Sequence, residues 1–206
     1  MSILYHLSWV IGQLLLGSGL VIRSGLENVP AQGGVILASN HQSYWDPPIL
    51  GISLPRESFF LAKKELFRHK LLGWLISRLH TIPVSRDTPD PQAYKMAIKV
   101  LLSGKSLILF PEGTRNRGEE FLEPKLGVGL LALEAQVPIV PVYLENTRNL
   151  WKTLKNGKKI LVKFGQPLSL SWLKGVSPDK SGYRQVAREV MGRIQNLKDS
   201  QCKVWK

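Results

Sequence analysis

The sequence has little cysteine and little histidine. Its one cysteine, Cys202, lies among the last of the 206 residues, which excludes a disulfide framework and a C-x-x-C motif and suits a reducing compartment. The four histidines, at positions 6, 41, 69 and 80, form no pair at the helical spacing of metal ligands. A G-x-S-x-G motif is also absent. We therefore expect no metal, no redox cofactor and no serine or cysteine nucleophile.

Charge is missing from the start of the chain, where the first charged side chain is Arg23. A helix of about 20 residues rises ~30 Å, enough to cross a bilayer core. Polar residues and three glycines dilute this run, and a secretory signal is not indicated, because neither an early Lys or Arg nor an A-x-A site is present. We predict that residues 1–24 are a membrane-associating segment lying in the interface or partly inserted. A buried amphipathic helix is the alternative.

Acidic residues are scarce in the last third of the chain. Residues 1–144 carry 14 Lys/Arg against 11 Asp/Glu, whereas residues 145–206 carry 14 against 4. Such a basic segment attracts anionic partners, among them acidic lipid headgroups, nucleic acid and acidic proteins. Charge alone does not choose among these partners.

Short apolar runs alternate with stretches of helical spacing. The strand-like runs are 35–39, 59–62, 107–110, 138–144 and 159–164, and the helical stretches are 64–80, 91–103, 125–136 and 180–198. The alternation predicts a single α/β domain over residues 25–206, with a central, mostly parallel sheet covered by helices. We interpret 64–80, which mixes apolar and basic residues, as an ordinary surface helix, with contact to lipid headgroups as the alternative.

Residues 40–46 read NHQSYWD and are followed by two prolines. Five residues of α-helix would leave His41 and Asp46 about 140° apart, so the pair must straddle an irregular turn. Pro47 suits the first helical position, which makes Asp46 the N-cap and puts His41 in a loop after strand 35–39. Open α/β sheets place their sites at such carboxyl ends. Asp46 is either a helix cap alone or also the partner that orients His41 as a base.

A second polar stretch, FPEGTRN, occupies residues 110–116, directly after another strand-like run. Gly113 permits a close backbone approach, the planar fork of Arg115 suits a phosphate, and Glu112 offers an acceptor for a hydroxyl. A charged tight turn is the alternative interpretation.

NH-x-x-x-x-D followed some 70 residues later by FPEGTR resembles the glycerolipid acyltransferase family, in particular its 1-acylglycerol-3-phosphate acyltransferases. The resemblance runs from about Gly25 to Val142. Further matches are Lys63, Glu65 and Leu66 of K-x-E-L, Arg86 of IPVSR, Lys125 and Gly127 of K-x-G, and VPIVPV at 137–142. The chain departs from the family at Lys70, where a proline is common, and at His80, where a glycine is common.

This resemblance implies transfer of an acyl group from acyl-CoA or acyl carrier protein to the free hydroxyl of 1-acylglycerol-3-phosphate. The product would be phosphatidate, made for phospholipid biosynthesis. His41 would be the base and Asp46 its orienting partner, with direct transfer and no acyl-enzyme. The resemblance assigns acceptor binding to Lys63, Arg86, Glu112, Gly113, Thr114 and Arg115. No metal or further cofactor is expected.

Three other functions remain open on the sequence. The protein could be a related acyltransferase that shares these motifs but acylates glycerol-3-phosphate or another lyso-lipid. The basic last third, with Trp151, Phe164, Trp172 and Tyr183, could stack nucleic-acid bases. A non-catalytic membrane scaffold is the third. We expect a lyso-phospholipid acceptor, a thioester donor and an anionic membrane as partners, without nucleic acid, and a monotopic or peripheral protein on the cytoplasmic face.

Overall fold

The fold is built on one seven-stranded sheet. The computed structural model describes residues 10, 12–14, 16–85 and 88–200. In chain order the strands are β1 (Val21–Ser24), β2 (Val35–Ser39), β3 (Ser58–Lys63), β4 (Thr81–Val84), β5 (Ser106–Leu109), β6 (Ile139–Glu145) and β7 (Ile160–Phe164). Their spatial order is β1-β7-β6-β2-β5-β3-β4. Only the β6–β7 pairing is antiparallel among the described strands, so the predicted mostly parallel sheet is confirmed.

Helices cover both faces of the sheet. They are α1 (Asp46–Ile52), α2 (Lys70–Ser77), α3 (Pro91–Leu102), α4 (Gly127–Ala135), α5 (Leu150–Lys155), α6 (Leu170–Lys174) and α7 (Lys180–Asp199), with short 3-10 turns at Leu26–Asn28 and Lys64–Arg68. Side chains fix several starts: Asp90 accepts from the Ala93 amide before α3, and Asp179 accepts from the Ser181 and Gly182 amides before α7. Such caps satisfy amides that have no partner within the helix.

Alternating side chains of the central strand divide the core in two. Ile36 and Ala38 of β2 point into a core built with α3, α4 and α7. Val35 and Leu37 point to the opposite face, into a core that includes Ile49 and Leu50 of α1. Because β2 is buried on both faces, its sequence is apolar throughout.

The described part of the N-terminal run is helical at residues 10, 12–14, 16 and 17 and packs along α1. Gly12 is so close that an added Cβ would lie 2.3 Å from Cγ2 of Ile52, and Gln13 Nε2 donates to the Ile52 carbonyl at 3.2 Å. No helix among the described residues is long and apolar enough to cross a membrane. The predicted segment 1–24 lies partly outside the described residues and includes β1, so the sheet begins four residues before the predicted domain boundary.

Parallel pairing brings the carboxyl ends of β2, β3, β5 and β6 to one edge of the sheet. Loop 40–45 leaves β2 there, loop 110–126 leaves β5 there, and Lys63 ends β3. The two motifs quoted from the sequence therefore meet at the edge where parallel sheets place their sites.

Candidate active site

His41 and Asp46 form a buried pair at this edge. His41 Nδ1 lies 2.9 Å from Asp46 Oδ2, and the same oxygen accepts from the backbone amides of Gln42 at 2.6 Å and Ser43 at 2.7 Å. Asp46 is fully buried, and His41 is 6% exposed. Three donors converging on one carboxylate oxygen fix the turn that carries the histidine.

Asp46 is not the cap of α1, contrary to the prediction. It is the first helical residue, Trp45 precedes it as the N-cap, and no side chain caps this end. The amides that a cap serves belong to the second and third helical positions. If Asp46 were the cap, these would be Pro48, which has no N–H, and Ile49, whose amide donates to the Trp45 carbonyl at 3.0 Å. The Asp46 carboxylate is therefore available to the preceding loop and its histidine.

Two contacts hold the His41 ring. It stacks on Phe110 with centroids 4.1 Å apart and planes 19° apart, and Nδ1 is engaged by Asp46. Nε2 makes no hydrogen bond to the described part of the chain. His41 lines a cavity of about 200 Å³ together with Tyr143 and others. Burial raises the pKa of the Tyr143 phenol to about 12, so that group stays neutral where an imidazole titrates.

Glu112 joins the two motif loops. Its Oε1 accepts from the His41 amide at 2.9 Å and its Oε2 accepts from the Leu122 amide at 3.1 Å. The Asn116 amide donates to the His41 carbonyl at 2.6 Å. Glu112 is 1% exposed. The Glu112 carboxylate thus binds a backbone amide in each of the two motif loops, and this fixes the position of His41.

Asn40 is a functional-site residue that the sequence reasoning missed. Its Nδ2 donates to the Leu144 carbonyl at 3.0 Å, and its Oδ1 accepts from the Leu144 amide at 2.7 Å. Gln42 Nε2 donates to the same carbonyl at 2.6 Å. These bonds tie the histidine loop to the end of β6. A polar residue directly after a fully apolar strand, next to the histidine, was the available signal.

Arg115 stacks on Tyr44, a second residue that the sequence did not single out. The guanidinium carbon lies 3.5 Å from the Tyr44 ring centroid, and Nη2 donates to the Tyr44 hydroxyl at 2.8 Å. The stacked ring fixes the plane of the guanidinium, which matters for bidentate binding. Tyr44 lies between His41 and Asp46 in sequence, so the same loop holds both the histidine and the arginine.

The structure shows fewer contacts for the other residues predicted to bind the acceptor. Lys63 ends β3, with its ammonium 3.7 Å from the Glu65 carboxylate. Gly113 adopts a φ of 70°, which favours glycine, beside the Lys125 side chain. Thr114 is exposed on the same loop. Arg86 lies outside the described residues.

A cavity of about 320 Å³ adjoins the FPEGTR loop; most of its lining is apolar, with Ser85, Thr88 and Lys125 among the polar residues. Leu61, Leu109, Val128 and Leu131 line it, together with Phe110, whose ring stacks on His41. The Phe110 side chain therefore contacts both this cavity and the His41 ring. Its lining suits a hydrocarbon chain.

The aromatic residues of the nucleic-acid alternative do not form an exposed stacking surface. Phe164 is buried, and Trp172 and Tyr183 pack against the core between the sheet and α7. Of the four, only Trp151 is strongly exposed. Among the described residues no group of three or more His, Cys, Asp and Glu could hold a metal ion.

A histidine bound to a buried carboxylate, in a loop that also holds an arginine, suits acid–base chemistry, and the adjoining cavity suits an apolar chain. Comparison with known proteins agrees. Residues 21–145 match the sequence model of a family described as Acyltransferase. The chain belongs to this family, and the resemblance stated from the two motifs is confirmed.

Two curated relatives and one solved structure are similar over most of the chain. The 1-acyl-sn-glycerol-3-phosphate acyltransferase of Bacillus subtilis is 35% identical over 186 residues, 87% of this chain and 92% of the relative. The Streptococcus pneumoniae protein of the same name is 33% identical over 182 residues, 87% of this chain but 66% of the relative. The crystal structure of the LPA acyltransferase PlsC from Thermotoga maritima has a TM-score of 0.72 at 28% identity, covering 97% of this chain and 81% of that one.

Proposed function

We propose that the protein transfers an acyl group from a thioester, acyl-CoA or acyl carrier protein, to the free hydroxyl of 1-acylglycerol-3-phosphate, giving phosphatidate. The observation that carries this proposal is the 2.9 Å contact between Nδ1 of His41, which lines the cavity of about 200 Å³, and Oδ2 of Asp46. The names of the relatives from Bacillus subtilis and Streptococcus pneumoniae support this acceptor.

His41 acts as the general base. With Nδ1–H donated to Asp46 Oδ2, the neutral ring carries a bare Nε2, which takes the proton of the acceptor hydroxyl as its oxygen attacks the thioester carbon. The negative charge of Asp46 stabilises the imidazolium that forms. Collapse of the tetrahedral intermediate breaks the C–S bond, and the imidazolium returns the proton to the leaving thiolate. The acyl group passes directly from donor to acceptor.

Arg115 binds the acceptor phosphate, with Lys63 and Arg86 as further cations. A phosphate in a partly dry cleft needs more than one positive partner and favours a planar fork. The stacking of Arg115 on Tyr44 at 3.5 Å fixes that fork before the substrate arrives. Gly113 and Thr114 belong to the same loop as Arg115. Glu112 contributes to the site by accepting the hydrogen bond of the His41 amide.

The mostly apolar cavity next to Phe110 takes an acyl chain, which places an ester or thioester carbon near the His41 ring. The lipid substrate and the basic last third of the chain together support a membrane location. We propose peripheral or monotopic binding to an anionic surface on the cytoplasmic side, with residues 1–24 contributing apolar contacts.

The test gives the purified protein labelled 1-acylglycerol-3-phosphate and, in separate reactions, an acyl-CoA and an acyl carrier protein. Labelled phosphatidate is the expected product with at least one donor. Parallel reactions with glycerol-3-phosphate and with lysophosphatidylcholine separate this acceptor from the alternatives. Acylation of either of these in preference to 1-acylglycerol-3-phosphate would contradict the proposal.

A further inference from the structure

Helix α2 is built with its apolar side facing outward. Its one buried residue is Gly73, whose added Cβ would lie 2.4 Å from the Phe67 carbonyl oxygen, so this side of the helix rests on the turn Lys64–Arg68. At 100° per residue, Leu71, Leu72, Trp74 and Leu75 fall within an arc of about 160° centred opposite Gly73. An ordinary surface helix turns its apolar arc toward the core, and α2 does the reverse.

The exposure of these side chains is large. Leu71 is 81% exposed and Trp74 is 48% exposed. Contiguous outward apolar side chains mark an interaction surface, whereas single exposed ones need no explanation. The interpretation of 64–80 as an ordinary surface helix is therefore wrong for its α2 portion.

Cations flank this apolar arc. Arg68 and Lys70 are exposed at the start of α2, and the Arg78 guanidinium lies 4.9 Å from the Trp74 ring centroid at its end. Residues 66–86 contain no Asp or Glu. Leucine and tryptophan beside Lys and Arg are the composition of helices that lie in the headgroup layer of anionic bilayers.

Helix α2 lies on the same face of the sheet as the N-terminal helix. The chain moves from β2 to β3 through α1, and then from β3 to β4 in the same direction along the sheet through α2. Right-handed crossovers therefore put α1 and α2 on one face. The described N-terminal helix packs on α1 through Gly12 and Gln13, and its Leu14 is 71% exposed. Two elements on this face thus point apolar side chains outward.

We propose that α2 docks on the surface of an anionic lipid bilayer, inserting Leu71 and Trp74 among the headgroups while Arg68, Lys70 and Arg78 bind the lipid phosphates. This inference deepens the proposed function, because a lipid acceptor is drawn from a membrane. It places the edge carrying Lys63, where β3 enters the turn before α2, close to the bilayer from which that acceptor comes.

The test measures partition of the full chain onto phosphatidylcholine vesicles with and without phosphatidylglycerol. Leu71→Gln with Trp74→Gln should weaken binding to the anionic vesicles at least about ten-fold, because two apolar side chains no longer leave water. The matched control is Met96→Gln with Leu102→Gln, two exposed apolar residues of α3 on the opposite face, and it should bind as the parent does. Arg68→Gln with Lys70→Gln should reduce the preference for anionic vesicles.

Unchanged partition of the Leu71/Trp74 variant would overturn the inference. A concentration-dependent mass of the parent without vesicles, abolished in that variant, would also overturn it, because the face would then cover a second copy. If the double variant does not fold, the single variant Leu71→Gln is measured in its place and should also bind the anionic vesicles more weakly. Turnover of a monomeric short-chain lysophosphatidate separates the two proposals: the variant should retain it, and its absence in the parent would count against the proposed function alone.

Discussion

At the scale of single residues, the Asp46 carboxylate is committed to the histidine loop and not to its helix. Two backbone amides and His41 Nδ1 converge on Oδ2, and Oδ1 is buried without a hydrogen bond in the described structure. As a cap, Asp46 would meet Pro48, which has no amide N–H, and Ile49, whose amide already donates to the Trp45 carbonyl. Asp46 therefore holds the histidine loop in place, although it is itself the first residue of a helix.

Asp46→Asn tests that role. One amide oxygen can replace Oδ2, but the amide nitrogen then sits unpaired where Oδ1 is buried, which costs about 1–3 kcal/mol. The neutral side chain no longer stabilises an imidazolium, so turnover should fall steeply, toward the ~10⁴-fold of the serine-protease analogue. The thermal unfolding midpoint is measured on the same sample, so that a loss of turnover can be told from a loss of folded protein. A folded variant with near-normal turnover would leave His41 without a functional partner.

Combining the change with His41→Ala tests whether the pair acts as a unit. Each single variant should lose most of the activity, and the double variant should be scarcely slower than either. Independent, multiplying losses would mean that Asp46 and His41 serve different steps.

Arg115→Lys tests recognition of the phosphate. Lysine keeps the charge but loses the planar fork that stacks on Tyr44, so kcat/KM for 1-acylglycerol-3-phosphate should fall about ten-fold or more, the cost of a charge-assisted hydrogen bond. The loss should be much smaller for an acceptor without a phosphate. Arg117→Lys, an exposed arginine of the same loop, is the matched control. An equal loss on both acceptors would make Arg115 structural.

At the scale of elements, α4 and α7 approach each other through glycine. A Cβ on Gly129 would lie 2.2 Å from the Tyr183 carbonyl oxygen. The contact is to backbone, so Gly129→Ala must push the helices apart and should cost about 1–3 kcal/mol in the free energy of unfolding. The control is Gly192→Ala on α7, exposed with nothing within 4 Å, which should stabilise by ~0.5–1 kcal/mol. Chemical denaturation measures both, and a harmless Gly129→Ala would refute the tight crossing.

The sequence predicted the strands that are buried on both faces. It misjudged the edge strand β1 and the exposed helix α2. The strands β2, β5 and β6 are apolar because both faces are covered, which leaves a plain pattern. The edge strand β1, VIRS, buries one residue of four and carries no such pattern. Outward apolar side chains on α2 have the same spacing as inward ones, so periodicity alone could not tell which way they face.

The candidate site was predicted in part. His41, Asp46 and Arg115 could be found because their chemistry shows in residue type and because strand ends predict where they gather. Tyr44 and Asn40 were missed, because a ring under a guanidinium and an amide clamp on β6 depend on contacts between distant segments. The Glu112 bonds to two backbone amides are likewise invisible in sequence.

At the scale of the whole molecule, charge and apolar surface are expected to act together on the membrane. Long-range attraction from the basic last third is screened at high salt, where the Debye length falls to ~3 Å at 1 M. Binding to anionic vesicles should therefore weaken with salt but persist through apolar contacts. Leu14→Gln, at an exposed leucine of the N-terminal helix, should reduce the salt-resistant fraction. Salt-resistant binding that this change leaves untouched would remove the N-terminal helix from the membrane contact.

The central claim is that His41 drives direct acyl transfer to the hydroxyl of 1-acylglycerol-3-phosphate. The most direct measurement is a single-turnover reaction with an acyl-labelled thioester, quenched over time, comparing the parent with His41→Ala. Label should pass to phosphatidate only when the acceptor is present, without labelled protein, and His41→Ala should slow this transfer by on the order of 10⁴-fold. Label accumulating on the protein before phosphatidate appears, or an unslowed His41→Ala, would contradict it.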